Sequence, residues 1–530
     1  MPLKLRPASS PPSIISSLPS ILRSIAPFLP ARLYNGNMHL SGGSWSAAFI
    51  LFLIVYAPML WRPGRTANAA ETGAGRWAKV KAEDQPTQRL RDERTRPRHA
   101  EYPQIRCRRA CRTAYQRGKS DSPCRDVRKH HADDRKPART SDQGCRAGGD
   151  LPPGRARRGQ ILMSDITELS IAELAQGYRD KSFSPVDAAR AYFARIAQHN
   201  DKINAFVTLC EEDALAEAKQ AETEIAAGQW RGPMHGIPIG HKDLYQTAGV
   251  RSTAGSRVLE NHVPDSDATG VARLKQAGAV MLGKLNTHEF AYGPTNDSSM
   301  FGPCRNPWDP TRFSGGSSGG SGAAVALRLC AGATGSDTGG SIRMPSACCG
   351  ITGLKPTYGR TSRAGIYPLC WTMDHSGPMT RSAEDAALMF QPMPGPDGRD
   401  AAVADRAVPD YAAALDGDIK GLRIGVPTHY FFDRAIPEIA EAAQNAIAVL
   451  EGLGAEVREV DIAHIDHAAA AALVLYLSEG TAYHDDHIAT IGELYTDQVR
   501  LFLEIGNYVL AKDYLHAQRY RTLLGHAMAD

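Results

Sequence analysis

Two glycine/serine stretches, Ser314–Gly322 (SGGSSGGSG) and Gly335–Arg343 (GSDTGGSIR), constrain this chain more than any other feature. The run between them, Ala323–Ala331 (AAVALRLCA), reads as one buried helix. Glycine on both sides of a serine lets the backbone turn where a Cβ would clash, and it brings bare N–H groups close to a ligand. Thr338, Gly339, Gly340 and Ser341 can therefore aim successive amides at a developing negative charge while Ser341 offers its hydroxyl at the same point. That is an oxyanion hole and a nucleophile in one loop. A lone Gly/Ser tract is ordinarily a flexible linker. Two tracts bracketing an apolar helix, the second carrying Asp337 and Arg343, are hard to read that way. No phosphate-loop pattern G-x-x-x-x-G-K-[ST] occurs. Gly315–Gly319 matches G-x-S-x-G, but Asn306-Pro307-Trp308-Asp309-Pro310 is a poor substitute for the strand that elbow needs upstream.

A serine nucleophile needs a base. His235–Asp243 (HGIPIGHKD) is an apolar segment with Lys242 near its end. Most lysines are solvated surface charges. One that follows Ile237, Pro238, Ile239 and Gly240 is set for burial, and desolvation favours the neutral amine, which accepts a proton near neutral pH. A Ser-His-Asp arrangement is the competing reading, since Asp374 and His375 are adjacent in MDHSGPMT, although a Gly-Pro turn follows at once. Cys348 and Cys349 read as small buried hydrophobes rather than nucleophiles.

Taken in order, HGIPIGHKD, SGGSSGGSGAAVA and GSDTGGSIRMPSACCGITGLKPT closely resemble the amidase signature family. The resemblance runs from about Leu169 to the end of the chain and is densest from Met234 to Met389. It implies that Ser341 is the acylated nucleophile, that Ser317 bridges to it and is held through a cis peptide bond, and that Lys242 is the base. Asp337 and Arg343 are expected to fix the loop, and Ser318 to support the Lys242 ammonium. The family uses no histidine at position 375, needs no metal and needs no organic cofactor. In the same family roughly a hundred residues usually follow the point where this chain stops, at Asp530, so the expectation is either a domain truncated at its C-terminus or a pocket built differently.

The 530 residues carry a net charge of +4 and are 42% hydrophobic, enough for a large core in one or two domains. Composition breaks near Gln160. Trp45–Trp61 (WSAAFILFLIVYAPMLW) is an uncharged run long enough to be a marginal membrane span, with Arg62 and Arg65 after it. Residues 62–158 are rich in Arg, Asp, Gln, Pro and His and poor in aliphatics, the composition of a disordered segment. Acids interleave its bases and no aromatic pattern accompanies them, which argues against nucleic-acid binding. Cys107, Cys111, Cys124 and Cys145 lack zinc-module spacing. Met163 reads as a native start, with residues 1–162 a disordered upstream extension and 163–530 the enzyme domain.

From Met163 onward capped helices alternate with short apolar strands. Ser170–Glu173 and Ser184–Asp187 are helix starts, followed by a strand at Ala205–Leu209, a helix at Asp213–Ala227, a helix at Ala268–Ala277 and a strand at Ala279–Leu285. Asn286 should cap a helix through Tyr292, and Thr380–Phe390 should be a helix. Leu422–Val426 and Ala455–Val460 read as strands flanking a helix at Ile436–Leu453, and residues 464–530 as mostly helical. The fold class is α/β, a mixed core sheet covered by helices on both faces. Lys355–Arg363 and Gly365–Leu369 should line or gate the cleft.

Three functions are open on these residues. The first is a stand-alone amidase acting on a small amide, favoured because Glu289–Pro307 looks like the general amidases. The second is a glutaminase-type component of a tRNA-dependent amidotransferase that passes ammonia to a partner. The third is an inactive fragment. A homodimer is open as an assembly, and a membrane contact arises only if residues 45–61 insert. Ten cysteines with no disulfide framework fit a reducing cytosol and a cytoplasmic location.

Overall fold

The computed structural model describes residues 166–415 and 417–529. The expected extension at 1–162 and its apolar run at 45–61 lie outside the described residues. Helix α1 (Ile171–Arg179) opens on the capping box read from the sequence. Ser170 Oγ accepts from the Glu173 amide at 3.1 Å, and the Glu173 carboxylate accepts from the Ser170 amide at 2.8 Å. Ser184 and Asp187 do the same for α2 (Pro185–Ile203), with Pro185 at its first position. Each such cap stabilises its helix by about 1 kcal/mol.

Strand β1 (Phe206–Leu209) and α3 (Glu211–Ala226) come next, then β2 (Pro238–Lys242), α4 (Thr269–Gln276) and β3 (Val280–Leu285). The two glycine/serine stretches produce α5 (Gly319–Ala326), β4 (Gly332–Asp337) and α6 (Arg343–Cys349). Short β5 (Thr352–Gly353), β6 (His375–Thr380) and α7 (Ala383–Phe390) complete the core. The six strands form one mixed sheet in the order β1-β3-β2-β4-β6-β5. β3, β2 and β4 run parallel at its centre, while β1 and β6 join them antiparallel and β5 pairs antiparallel with β6. Parallel strands are covered on both faces, and every residue of β2 and β4 is buried. Ile171, Leu174, Tyr192 and Ile196 from α1 and α2 pack with Ile239, Val280 and Leu282 of the sheet and Ala323 to Val325 of α5. Each large aliphatic buried there stabilises the fold by about 1.5–3 kcal/mol.

Three local readings are corrected. The helix expected at Ala323–Ala331 begins four residues earlier, inside the first glycine/serine tract, and ends at Ala326, capped by Leu327 before Arg328 turns left-handed (φ 57°). Glycine is needed there for a close approach: a Cβ on Gly320 would lie 2.5 Å from both the N and the O of Asn286. Asn286 caps no helix. Its side-chain amide donates to the Asn204 and Gly302 carbonyls at 3.1 and 3.2 Å, and the chain beyond it makes a single 3₁₀ turn, Glu289–Ala291. Thr380 ends β6, and α7 starts at Ala383 after the cap Ser382, whose hydroxyl takes the Asp385 amide at 3.0 Å.

Beyond the core, β7 (Arg423–Pro427) and β8 (Glu456–Val460) pair in parallel around α8 (Pro437–Gly452). Helices α9 (Ala468–Ile491), α10 (Asp497–Gly506) and α11 (Ala511–Ala529) form a second apolar cluster, in which Leu475, Val499 and Leu503 meet Leu244, Phe290, Tyr292 and Leu369. That cluster brings α9 against the loops above the sheet. No helix of the described residues is long and apolar enough to cross a membrane. Cys210, Cys304, Cys330, Cys348, Cys349 and Cys370 are free thiols.

Candidate active site

Lys242 ends β2 at the middle of the sheet, and its side chain is fully buried. Its backbone N–H donates to Thr334 Oγ1 of the adjacent β4 at 3.1 Å. Its amine reaches two hydroxyls, Ser317 Oγ at 2.6 Å and Ser336 Oγ at 2.8 Å. Desolvation drives the Lys242 pKa down to about 7, against the upward pull of Asp337 and Asp374. A lysine so placed is half neutral near pH 7, whereas an exposed one is almost wholly charged.

Ser317 enters the site from the N-terminal end of α5, and the Gly316–Ser317 peptide bond is cis. The Ser317 carbonyl accepts from the His288 amide at 3.1 Å and from Thr287 Oγ1 at 3.0 Å, which ties the loop to the segment after β3. The Ser318 amide donates to the Ser341 carbonyl at 3.3 Å, so the two glycine/serine stretches touch backbone to backbone. No hydrogen bond joins the Ser341 hydroxyl to Ser317 among the described residues.

Asp337 organises the second loop. This fully buried carboxylate accepts from the amides of Gly340, Ile342 and Arg343 at 2.8, 3.1 and 3.3 Å. The Arg343 guanidinium grips it through Nε at 3.0 Å and Nη2 at 2.8 Å, a bidentate geometry. Burial alone would raise the Asp337 pKa. The hydrogen bonds and charge of Arg343, with the amides, outweigh it and hold the group below the usual carboxylate range. Gly340 has φ 134°, a backbone conformation that a side chain would resist.

This loop corrects part of the expected oxyanion set. The Gly340 N–H is committed to Asp337, whereas the Gly339 and Ser341 amides make no hydrogen bond to other described residues. A second correction concerns Ser318, whose hydroxyl bonds with the backbone of Ser336 at 3.3 Å instead of supporting Lys242. Ser336 fills that place. Its signal in the sequence is the period of two along β4: Thr334 and Ser336 share the face turned toward Lys242.

Asp374 and His375 do not pair. Asp374 accepts from Thr338 Oγ1 at 2.6 Å and from the Leu369 and Cys370 amides at 3.0 and 3.1 Å, and loss of water pushes its pKa up to about 6. His375 Nδ1 meets the Asp337 carbonyl at 3.0 Å, and burial lowers its pKa. Both line a cleft with Ser336, Thr338, Arg363 and the apolar wall of Leu244, Ile366, Tyr367 and Leu369, as residues 365–369 were expected to do. Arg363 is fixed in that wall by a buried ion pair with Asp400 at 2.6 Å.

The Amidase family profile matches residues 187–530. The chain belongs to the Amidase family. It is an amidase signature enzyme, a hydrolase of amide C–N bonds. The A subunit of glutamyl-tRNA(Gln) amidotransferase from Geobacter sp. (strain M21) is 40% identical over 384 residues, 68% of this chain and 79% of that one. Among solved structures, the peptide amidase of Stenotrophomonas maltophilia superposes with a TM-score of 0.60 at 33% identity, covering 67% of this chain and 79% of its own. A chain from a structure described as a vestigial protein complex revealing the evolutionary origins of an s-triazine catabolic enzyme gives a TM-score of 0.65 at 37% identity, covering 68% and 79%. A second profile, NnrS protein, matches residues 14–64, outside the described residues.

Proposed function

We propose that this chain hydrolyses a small carboxamide to a carboxylic acid and ammonia or an amine, through an acyl-enzyme on Ser341. The observation that carries the reading is the 2.6 Å approach of a fully buried lysine amine to the Ser317 hydroxyl. Neutral Lys242 takes the Ser317 proton as Ser317 takes that of Ser341, and Ser341 Oγ bonds to the amide carbon. The free amides of Gly339 and Ser341 face the resulting oxyanion. The proton returns through Ser317 to the nitrogen, the C–N bond breaks, and ammonia or an amine leaves. Water then attacks the Ser341 ester through the same relay. Its proton ends on Ser341 Oγ as the acid departs.

A second reading keeps the chemistry and changes the setting: a glutaminase-type component of an amidotransferase, releasing ammonia for a partner. The curated relatives favour it, since those at 40–44% identity are named as A subunits of glutamyl-tRNA(Gln) amidotransferase.

A panel of amides including glutamine, assayed with the full chain beside Lys242→Ala, Ser317→Ala and Ser341→Ala, tests both. Ser341→Ala should abolish turnover, and Lys242→Ala should do nearly as much harm. Full activity of either variant defeats the relay. Glutamine as the sole substrate, turned over faster when the other amidotransferase subunits are added, selects the second reading.

A further inference from the structure

Helix α9 places a phenol on the second glycine loop. The Tyr476 hydroxyl stands where a Cβ on Gly339 would be only 2.1 Å away, so it rests directly on the Gly339 backbone. Its position is fixed from behind. Tyr292 Oη donates to the Tyr476 carbonyl at 2.6 Å, and a Cβ on Gly480, one turn further along α9, would lie 2.5 Å from the Tyr292 ring. The Tyr476 hydroxyl makes no hydrogen bond to another described residue. Burial above all, with the electrostatic influence of Cys370, Asp337 and Asp374 outweighing that of Arg343, holds the phenol well above its ordinary pKa, fully protonated at working pH. A protonated, uncommitted O–H therefore sits against the Gly339 backbone on its Cβ side, on the same loop where the Gly340 amide is spent on Asp337.

We infer that the Tyr476 hydroxyl donates to the substrate's carbonyl oxygen as that oxygen becomes the tetrahedral oxyanion, joining the Gly339 and Ser341 amides. This rests on Ser341 being the attacking serine. Tyr476 would then be a catalytic residue contributed by the C-terminal helices to a site otherwise built on the sheet. No covalent bond forms to it, and it keeps its proton through the cycle.

Full-length Tyr476→Phe tests it, because the ring and its packing are retained while the donor is removed. The expected result is a fall in kcat of about 10²-fold, the cost of one oxyanion donor, with KM changed less than about threefold and the melting temperature unaltered. The rate at which a fluorophosphonate labels Ser341 should fall in parallel, since that reaction also builds charge on an oxygen in the same place. An unchanged kcat, or a rise in KM alone, overturns the inference. If the phenylalanine variant is unstable, 3-fluorotyrosine at position 476 keeps the ring and gives a more acidic donor. Its kcat should equal or exceed that of the parent, and a tenfold loss overturns the idea. Ser341→Ala run alongside separates the two levels. An active Ser341→Ala enzyme sinks the acyl-enzyme itself, whereas a dead Ser341→Ala with a fully active Tyr476→Phe sinks only the role of Tyr476.

Discussion

Ser336 Oγ lies 2.8 Å from Lys242 Nζ, across two neighbouring parallel strands of one sheet. As an acceptor it favours the ammonium form and fixes the direction from which the amine meets Ser317. A hydrogen bond to a charged group is worth about 1.5–3 kcal/mol, and each 1.36 kcal/mol is roughly tenfold in rate. Ser336→Ala should therefore lower kcat/KM about 10- to 10²-fold, less than Ser317→Ala, and move the acidic limb of the pH profile downward. Steady-state kinetics across pH would show it; a limb that moves upward contradicts the contact.

The pH profile of the parent enzyme follows from Lys242. With its pKa lowered by burial to about 7, activity should rise as the pH passes through about 7 and the amine loses its proton. Stability moves in the same direction. Between about pH 7 and the ordinary lysine value near 10.4, the unfolded chain holds a proton on Lys242 that the folded one lacks, so this group makes stability rise with pH over that window. Lys242→Met removes its share of that rise. Chemical denaturation at about pH 7 and pH 9 measures it, and equal pH slopes in the two proteins would refute it.

Asp337→Asn keeps the shape of the loop's anchor but removes the charge that Arg343 grips. Half-exposed Arg343 can recover some solvation, so the cost should be about 2–4 kcal/mol rather than that of a fully buried pair. Turnover should fall as well, because the Gly340 turn loses its carboxylate partner. An Asp337→Asn protein with parental urea midpoint and kcat would show that the loop is held by something else.

Two glycine-to-alanine changes should have opposite signs. At Gly320 the new methyl would meet the Asn286 backbone at 2.5 Å and the Ala205 carbonyl at 2.7 Å, none of which can swing aside, so the cost should be about 3 kcal/mol. Gly525 on α11 has open space around it, and alanine there should stabilise the protein by up to about 1 kcal/mol. Urea unfolding of both variants checks the pair.

His375→Ala should lower kcat/KM less than about tenfold. Asp374 does not touch its ring, whose Nδ1 meets a backbone carbonyl, that of Asp337, at 3.0 Å. A loss of about 10⁴-fold or more would reopen a histidine mechanism, since that is the scale of disabling a triad member.

Much of this architecture is legible in the chain itself. The caps at Ser170 and Ser184 are local chemistry, and local chemistry is written in a few adjacent residues. The apolar flanks of Lys242 announce burial. Register is not legible in that way. Which serine meets the lysine depends on how β4 is aligned against β2, and only pairing chooses Ser336 over Ser318. Likewise, the Gly340 amide reads as a substrate donor because the reach of Asp337 back over its own turn is invisible in one dimension. Tyr476 lies far along the chain, on a helix whose docking is decided by the Phe290, Tyr292 and Leu475 cluster.

The lysine and its hydroxyl partners are carried by central strands and the start of a buried helix, whereas most of the cleft lining comes from the stretch 363–375, with Leu244, Ala291, Ser336 and Thr338 completing it. On the proposed mechanism, rigid parts hold what every amide requires, and peripheral parts hold what distinguishes one amide from another. Under the proposed chemistry, changes at Ile366, Tyr367 and Leu369 would alter which amide fits, whereas Asp374, which holds Thr338 of the second loop, would have to stay.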